Sequence, residues 1–212
     1  LSRRRREFYL STKVDERDGS GVTKKLERCL RRLKTDWIDL VLFHDVRGLE
    51  YEKIFEQGGL RALEKAREQG KLFQIGISIH QSLPMMEKAI NSGVFSALMI
   101  AYSAIDEDRL SADLIPLAHE KGVGLIAMKP LAGGKLGNSA KGWDLKYFKG
   151  QSPAQVSLRY ILTNPHITCA IPGMTSLKEL GENIKVGEKP RPLTPEELSL
   201  IHISEPTRQA EI

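Results

Sequence analysis

The sequence predicts an α/β fold, namely an incomplete (β/α)8 TIM barrel in which about six of the eight strand-and-helix units are present and the first two are missing. Six short apolar runs, rich in β-branched and aromatic residues, are each followed by a helical pattern. The runs are near-continuous, as expected of parallel strands covered on both faces. None is followed by GxGxxG, the mark of a nucleotide-binding open sheet, which is the competing architecture.

The predicted strands lie at residues 8–12, 37–43, 73–78, 97–101, 123–128 and 167–171. Strict alternation with helices predicts right-handed crossovers between parallel strands. The last helix has the clearest start, because Ser176 is followed three residues later by Glu179 in a capping box. Leu177, Leu180 and Ile184 form its apolar face.

Composition narrows the functional classes. The net charge of +5 comes from 32 basic and 27 acidic residues, with a cluster at 3–6, RRRR, which we interpret as a solvated loop rather than a nucleic-acid or membrane contact. The two cysteines, Cys29 and Cys169, form no CxxC pair and no metal-ligand spacing, so we expect reduced core thiols, no metal and a cytoplasmic protein. No apolar run is long enough to span a bilayer. The oligomeric state is left open.

The two ends of the sequence suggest a domain boundary. The chain starts at Leu1 and enters a strand almost at once, which favours a piece whose first units are missing. From Leu198 the residues read LSLIHISEPTRQAEI, which resembles a translated sequencing adapter. We therefore expect a partial barrel over residues 1–197 and a non-native tail over 198–212. In the alternative interpretation, Leu198 and Ile201 continue a helix that begins at Thr194.

Lys13 and His44 are the candidate catalytic residues. Lys13 closes the first predicted strand, FYLSTK, and His44 closes the second, in DLVLFHDV. The carboxyl ends of barrel strands face the active site, and consecutive parallel strands are neighbours. A lone lysine or histidine at a strand end is usually structural. The matched pair on adjacent strands favours a functional role.

Two later loops are suited to an anionic ligand. KPLAGGKLG at 129–137 follows the fifth strand, and IPGMTSLKELGEN at 171–183 follows the sixth. Gly133, Gly134 and Gly173 permit close backbone approach. A helix N-terminus offers free N–H groups to phosphate, and barrels frequently bind phosphate after their last two strands.

Taken together, these motifs resemble the aldo-keto reductase family over residues 3–197. The matches are STK at 11–13, WIDLVLFH at 37–44, GKLFQIGIS at 70–78, KPLAGG at 129–134 and IPGMTSLKELGEN at 171–183, in the family's order. The resemblance implies a barrel that binds a nicotinamide dinucleotide without a Rossmann motif. It implies hydride transfer between NAD(P)H and the carbonyl group of a small aldehyde or ketone, with no nucleic-acid or membrane partner.

The family's chemistry uses an aspartate, a tyrosine, a lysine and a histidine. By motif match, Lys13 is the lysine and His44 the histidine. The tyrosine acts as general acid, a neighbouring ammonium lowers its pKa, and the histidine orients the substrate oxygen. The aspartate and the tyrosine would lie upstream of Lys13. Tyr9 and Tyr102 do not occupy the matching position.

The resemblance also assigns cofactor contacts. By motif match these are Ser78, Lys129, Pro130, Leu131, Gly133, Gly173, Thr175, Glu182 and Asn183. Where many members have a lysine and an arginine around the 2′-phosphate of NADP, this chain has Gly173 and Glu179, although Lys178 and Thr175 could compensate. The cofactor is therefore NADP or NAD, with NADP favoured. The alternative to an enzyme is a non-catalytic cofactor-binding barrel that acts as a sensor or regulatory subunit.

The sequence generates one prediction about activity. Because the family's aspartate and tyrosine have no counterpart in residues 1–212, we expect the purified chain to reduce no carbonyl substrate above background. The measurement is the loss of reduced nicotinamide absorbance with an aldehyde series. Turnover that is proportional to protein and is lost in Lys13→Met would contradict the expectation.

Overall fold

The computed structural model describes residues 2–105, 110–136, 145–148 and 150–202. The chain divides into two compact units. The first consists of Leu1–Ile100 with Pro116–Gly124, and the second of Ala101–Ile115 with Leu125–Ile212.

The first unit is built on parallel strands covered by helices. Its strands, in chain order, are β1 (Ser11–Val14), β2 (Ile38–Phe43), β3 (Leu72–Ser78) and β4 (Ala97–Ala101). Its helices are α1 (Gly19–Leu33), α2 (Glu50–Glu56), α3 (Gly59–Glu68), α4 (Leu83–Asn91) and α5 (Ile115–Glu120). Each of the first three strands pairs in parallel with the next one in the sequence.

Close strand packing in this unit depends on a glycine in β3. Gly76 lies between Leu42 of β2 and Ala97 of β4 in the parallel register. A Cβ atom at Gly76 would lie 2.6 Å from the Ala97 carbonyl oxygen and 2.8 Å from a Leu42 methyl group. The absence of a side chain therefore lets β2, β3 and β4 approach one another.

The second unit contains β5 (Gly124–Met128) and β6 (Ile167–Ile171), which are also parallel. Its helices are α6 (Pro153–Thr163), α7 (Leu177–Glu188) and α8 (Pro195–His202). A capping box formed by Ser152 and Gln155 begins α6. An apolar cluster packs among these elements and includes Leu136, Phe148, Val156, Leu193 and Ile201.

Six strands that alternate with helices confirm the predicted α/β class and an incomplete barrel. The fourth and sixth strands have the predicted bounds, but the first does not. Phe8 and Tyr9 precede β1, and Lys13 is its third residue rather than its end. The apolar aromatic residues suggested an earlier start, but Tyr9 is 94% exposed. The short helix α2 was not predicted, because seven residues are too few for a clear helical period.

The apolar face predicted for α7 is exposed. Leu177, Leu180 and Ile184 have exposed fractions of 87%, 38% and 46%. The helix contacts α6 through another side, where Gln155 donates to the Glu182 carbonyl oxygen at 3.1 Å. Residue spacing placed the three apolar side chains together, but it cannot show whether another element covers them.

Helix α8 crosses the predicted boundary at residue 198. Ile201 is 2% exposed in the apolar cluster of the second unit, and Leu198 and Leu200 pack against that cluster. Residues 203–212 lie outside the described residues. The assignment of 198–212 to an adapter-derived tail stays a prediction.

The cysteines differ from one another in exposure. Both thiols are free. Cys29 is half-buried and accepts a long contact of 3.6 Å from the Thr12 hydroxyl. Cys169, expected in the core, is exposed on β6. Burial of part of its surface still raises the pKa of the Cys169 thiol. Among the described helices, each is too short or too polar to cross a bilayer.

The arginine run is not uniformly solvated, which corrects the sequence interpretation. Arg4 and Arg6 are exposed, but Arg5 is 5% exposed. The Arg5 guanidinium pairs with Asp39 at 2.5 Å, donates to the Trp37 carbonyl oxygen and stacks 4.7 Å from the centre of the Trp37 ring. Arg5 therefore ties the segment before β1 to the start of β2.

This contact predicts a stability difference between neighbouring arginines. Arg5→Ala leaves the Asp39 carboxylate half-buried without its cation, so we expect a loss of about 3 kcal/mol in the free energy of unfolding. Arg6→Ala is the matched control and should change it by less than about 0.5 kcal/mol. Urea unfolding of both variants measures the difference, and equal effects would refute the anchoring role of Arg5.

Candidate active site

Lys13 and His44 lie at the carboxyl ends of neighbouring strands. In the parallel register, Lys13 is beside Leu42 and Val14 is beside Phe43. His44 follows β2 directly, and its backbone N–H donates to the Val14 carbonyl oxygen at 2.9 Å. The predicted pair therefore shares one end of the β1–β2 ladder.

Lys13 is directed to the sheet face that α1 does not cover. The Thr12 hydroxyl contacts Cys29 of α1, and successive side chains of a strand point to opposite faces. Burial lowers the pKa of the Lys13 ammonium, while the charges of Asp15 and Asp45 act in the opposite direction. A half-buried lysine with a lowered pKa at a strand end is typical of a functional site.

The His44 ring is held by a carboxylate from the loop after β1. Asp15 Oδ1 lies 2.6 Å from His44 Nδ1, and Asp15 Oδ2 accepts from Lys25 Nζ of α1 at 2.7 Å. Hydrogen bonds from Lys25 and then His44 lower the pKa of Asp15 to about 2. The carboxylate is therefore ionised at every pH at which an imidazole titrates.

Arg17 joins the two loops that carry these side chains. Its guanidinium donates to the carbonyl oxygen of Asp15 at 2.7 Å and to that of His44 at 2.7 Å. Glu50 of α2 lies 3.4 Å from the same group. Arg17 is 9% exposed, so these bonds are shielded from water. They fix the separation of the β1 and β2 loops.

Ser78, the predicted cofactor contact at the end of β3, is fully buried. Its hydroxyl lies 3.1 Å from His80 Nε2, and His80 Nδ1 lies 3.1 Å from Asp45 Oδ1 without an aligned hydrogen bond at that oxygen. Asp45 also pairs with Arg47. The Ser78 hydroxyl is therefore buried and already has a hydrogen-bond partner within the chain.

The two histidines of this site face each other. The rings of His44 and His80 are 6.2 Å apart in an edge-to-face arrangement. Asp45, between them in the sequence, has a left-handed backbone with φ of 43°. Such conformations are costly for residues other than glycine and cluster at functional sites.

A second candidate site lies within the second unit. A cleft of about 320 Å³ is lined by Leu131, Gly134, Ala154, Gly173, Thr175, Ser176, Lys178, Glu179, Glu182 and Asn183. Five of the predicted cofactor residues therefore meet in one place. They come from the loop after β5, the loop after β6 and the first two turns of α7.

The start of α7 already contains a negative charge. The Ser176 hydroxyl accepts from the Glu179 N–H at 3.2 Å, which is half of the predicted capping box. The Glu179 carboxylate accepts from the Thr175 N–H at 2.6 Å instead of returning to Ser176. This bond to the Thr175 backbone is the main reason that the pKa of Glu179 is lowered. Within the same cleft, the buried Asn183 Oδ1 has no partner in the described structure.

Besides Ser78, three predicted cofactor residues do not line the cleft. Lys129 is exposed with a left-handed φ of 53°, and Pro130 is buried. Gly133 is exposed with a φ of 68°. These residues shape the loop that brings Leu131 and Gly134 to the cleft. In the part of the chain that the structure describes, no group of three or more His, Cys, Asp or Glu residues could hold a metal.

The model of the Aldo/keto reductase family matches residues 1–147 and 145–205. The chain belongs to the aldo/keto reductase family. Among curated relatives, it is 28% identical to L-galactose dehydrogenase from Arabidopsis thaliana, over 77% of this chain and 56% of that protein. It is 28% identical to the uncharacterized oxidoreductase YrpG from Bacillus subtilis (strain 168), over 87% of this chain and 68% of that one.

A further relative is methylglyoxal reductase DkgB from Escherichia coli O157:H7, 26% identical over 85% of this chain and 67% of that protein. Among solved structures, the holo form of aldo-keto reductase AKR11C1 from Bacillus halodurans matches with a TM-score of 0.79 at 22% identity. That match covers 97% of this chain and 76% of the AKR11C1 chain. The comparison confirms the barrel fold of this aldo/keto reductase.

The sequence interpretation missed the polar residues that support the site. Asp15 and Arg17 follow Lys13 in a charged stretch, VDERD, that reads as a loop. His80 stands two residues after Ser78. Because side chains alternate along a strand, the spacing of Ser78 and His80 could have predicted that they lie on the same side. Only the folded chain shows that the His80 ring reaches the Ser78 hydroxyl.

Two lysines of this site predict opposite effects on stability. Burial penalises charged Lys13, so Lys13→Met should raise the free energy of unfolding by about 0.5–2 kcal/mol at neutral pH. Lys25 is the control, because Asp15 raises its pKa and Lys25→Met loses an ion pair. That variant should be less stable by about 0.5–1 kcal/mol.

The pH dependence of stability in the two variants tests the direction of each pKa shift. The folded-state pKa of Lys13 is below its unfolded value, so the gain from Lys13→Met should be present at neutral pH and disappear as pH approaches about 10.4. The folded-state pKa of Lys25 is above its unfolded value, so its contribution should be lost only above that pH. Denaturant titrations over this range provide the measurement. A destabilising Lys13→Met would contradict the assignment.

Proposed function

We propose that this aldo/keto reductase takes part in hydride transfer between NAD(P)H and the carbonyl group of a small aldehyde or ketone. The observation that carries the proposal is the placement of Lys13 and His44 at the ends of adjacent parallel strands, with Asp15 bonded to His44. The chain spans 56% of the length of L-galactose dehydrogenase, so the activity of the whole protein is part of the proposal.

The residues of this chain supply two roles. The His44 ring has 39% of its side chain exposed, and its Nε2, when protonated, can donate to a carbonyl oxygen and orient it. The Lys13 ammonium is half-buried, so it can stabilise negative charge on a neighbouring acid and lower the pKa of that group. The general acid that the resemblance expects, a tyrosine, has no counterpart in residues 1–212.

The cleft of the second unit suits the dinucleotide. The reduced nicotinamide supplies the hydride when the cofactor is bound. Asn183 Oδ1 is buried there without a partner, which fits a site that offers an acceptor to an adenine amino group. Lys178 and the N-terminus of α7 offer positive charge to phosphate. Leu131, Gly173, Thr175, Glu182 and Asn183 would hold the cofactor.

We propose NADP(H) as the preferred cofactor. Lys178 is the cation in the cleft that could pair with a 2′-phosphate. Glu179 opposes that phosphate, but its carboxylate is hydrogen-bonded to Thr175, which partly satisfies its charge. The names of the relatives, a dehydrogenase, an oxidoreductase and a reductase, support an enzyme over the sensor or regulatory barrel.

Cofactor titration tests this assignment. Fluorescence titration of the chain should show tighter binding of NADPH than of NADH. Lys178→Met should weaken NADPH binding about two- to fivefold and leave NADH binding unchanged, as expected for loss of one exposed charge pair. Glu179→Gln should strengthen NADPH binding by a similar factor.

Lys185→Met is the matched control, because Lys185 lies on α7 but does not line the cleft. It should leave both affinities unchanged. Tighter binding of NADH would refute the NADP(H) preference, and binding of neither cofactor would refute the proposed function.

A further inference from the structure

The Asp15–His44 contact determines which ring nitrogen of His44 carries a proton. An ionised carboxylate has no proton to donate and can only accept hydrogen bonds. At a separation of 2.6 Å between Oδ1 and Nδ1, His44 must therefore be the donor. Nδ1 then carries a proton whether the ring is neutral or charged, and Nε2 is left as the nitrogen that gains or loses one.

Asp15 is held in place independently of His44. Its second oxygen accepts from Lys25 Nζ at 2.7 Å, and Lys25 belongs to α1, a helix of 15 residues. Its backbone N–H lies 3.1 Å from a Glu16 carboxylate oxygen. The carboxylate therefore has a partner on a long helix besides His44, although 59% of the Asp15 side chain is exposed.

The backbone on both sides of the contact is also fixed. Arg17 binds the carbonyl oxygens of Asp15 and His44, each at 2.7 Å. The His44 N–H donates to Val14 at 2.9 Å. Because the loops after β1 and β2 cannot separate without breaking these bonds, the two backbones stay at the separation from which the Asp15 carboxylate reaches the His44 ring.

The same carboxylate acts on Lys13. The charge of Asp15 raises the pKa of Lys13 against the effect of burial, and the charge of Asp45 acts in the same direction. Asp15 is therefore coupled to both candidate catalytic side chains.

We propose that Asp15 is a positioning residue that holds His44 with one proton on Nδ1. Nε2 is then the nitrogen that faces substrate: it donates to a carbonyl oxygen when the ring carries its second proton, and it accepts from the product hydroxyl when the ring is neutral. The second half of this inference rests on the proposed function, and the first half does not. Asp15 sets the orientation and the tautomer of the His44 ring. It need not itself touch substrate, cofactor or reacting atoms.

A nuclear magnetic resonance experiment on the full chain tests the positioning role without cofactor. Long-range proton–nitrogen correlation spectra of nitrogen-15-labelled protein report which ring nitrogen of His44 carries the proton. In the unaltered chain at a pH where His44 is neutral, we expect the Nδ1–H form to dominate. In Asp15→Ala, the ratio of Nδ1–H to Nε2–H should fall about tenfold or more, as expected for loss of a hydrogen bond to a charged group.

Glu16→Gln is the matched control, because it removes the neighbouring carboxylate and retains an acceptor for the Asp15 N–H. It should leave the His44 signals unchanged. Asp15→Asn is the second variant, for the case in which Asp15→Ala does not fold. Its amide is uncharged and can donate, so the Nδ1–H preference should again decrease. Backbone spectra of each variant report folding.

Two outcomes would overturn the proposal: a His44 tautomer ratio unchanged in both Asp15 variants, or an equal change in Glu16→Gln. Failure of the proposed function gives a different result. A tautomer shift in a chain that binds neither NADPH nor NADH would support the positioning role and contradict the cofactor assignment.

Discussion

Arg17 lies between the loops that follow β1 and β2, and its buried guanidinium donates to main-chain oxygens of both. The parallel register brings the two strand ends level, and Arg17 keeps the residues beyond them from separating. Lys13, Asp15 and His44 depend on this arrangement for their relative positions. A bond from a buried charged donor suits this role, because losing one partner of a buried charge is costly.

Two groups of polar side chains near Arg17 have the same arrangement. Asp15 contacts both His44 and Lys25, and Asp45 contacts both His80 and Arg47. In each set a carboxylate lies between an imidazole Nδ1 and a cation. Asp15 makes a short contact in a loop fixed by Arg17, whereas Asp45 lies at 3.1 Å without an aligned bond. The contact between carboxylate and imidazole is therefore shorter and better aligned at His44 than at His80.

The cleft of the second unit combines small residues with charged side chains of α7. Gly134 and Gly173 line the cleft, and Ser176 caps α7 beside them. Small residues allow a ligand to approach the helix N-terminus. The Thr175 N–H, just before this N-terminus, already donates to the Glu179 carboxylate.

The sequence by itself determined the alternation of strands and helices, the pairing of Lys13 with His44 and the family, because each depends on local pattern or on short motifs. It also indicated Leu131, Gly173, Thr175, Glu182 and Asn183, which meet in one cleft. Only the tertiary structure decided that Arg5 is buried, that Ser78 bonds to His80, and that Asp15 bonds to His44. Those contacts join residues from different loops, and a residue's polarity does not reveal which partner, or how little water, the fold will place beside it.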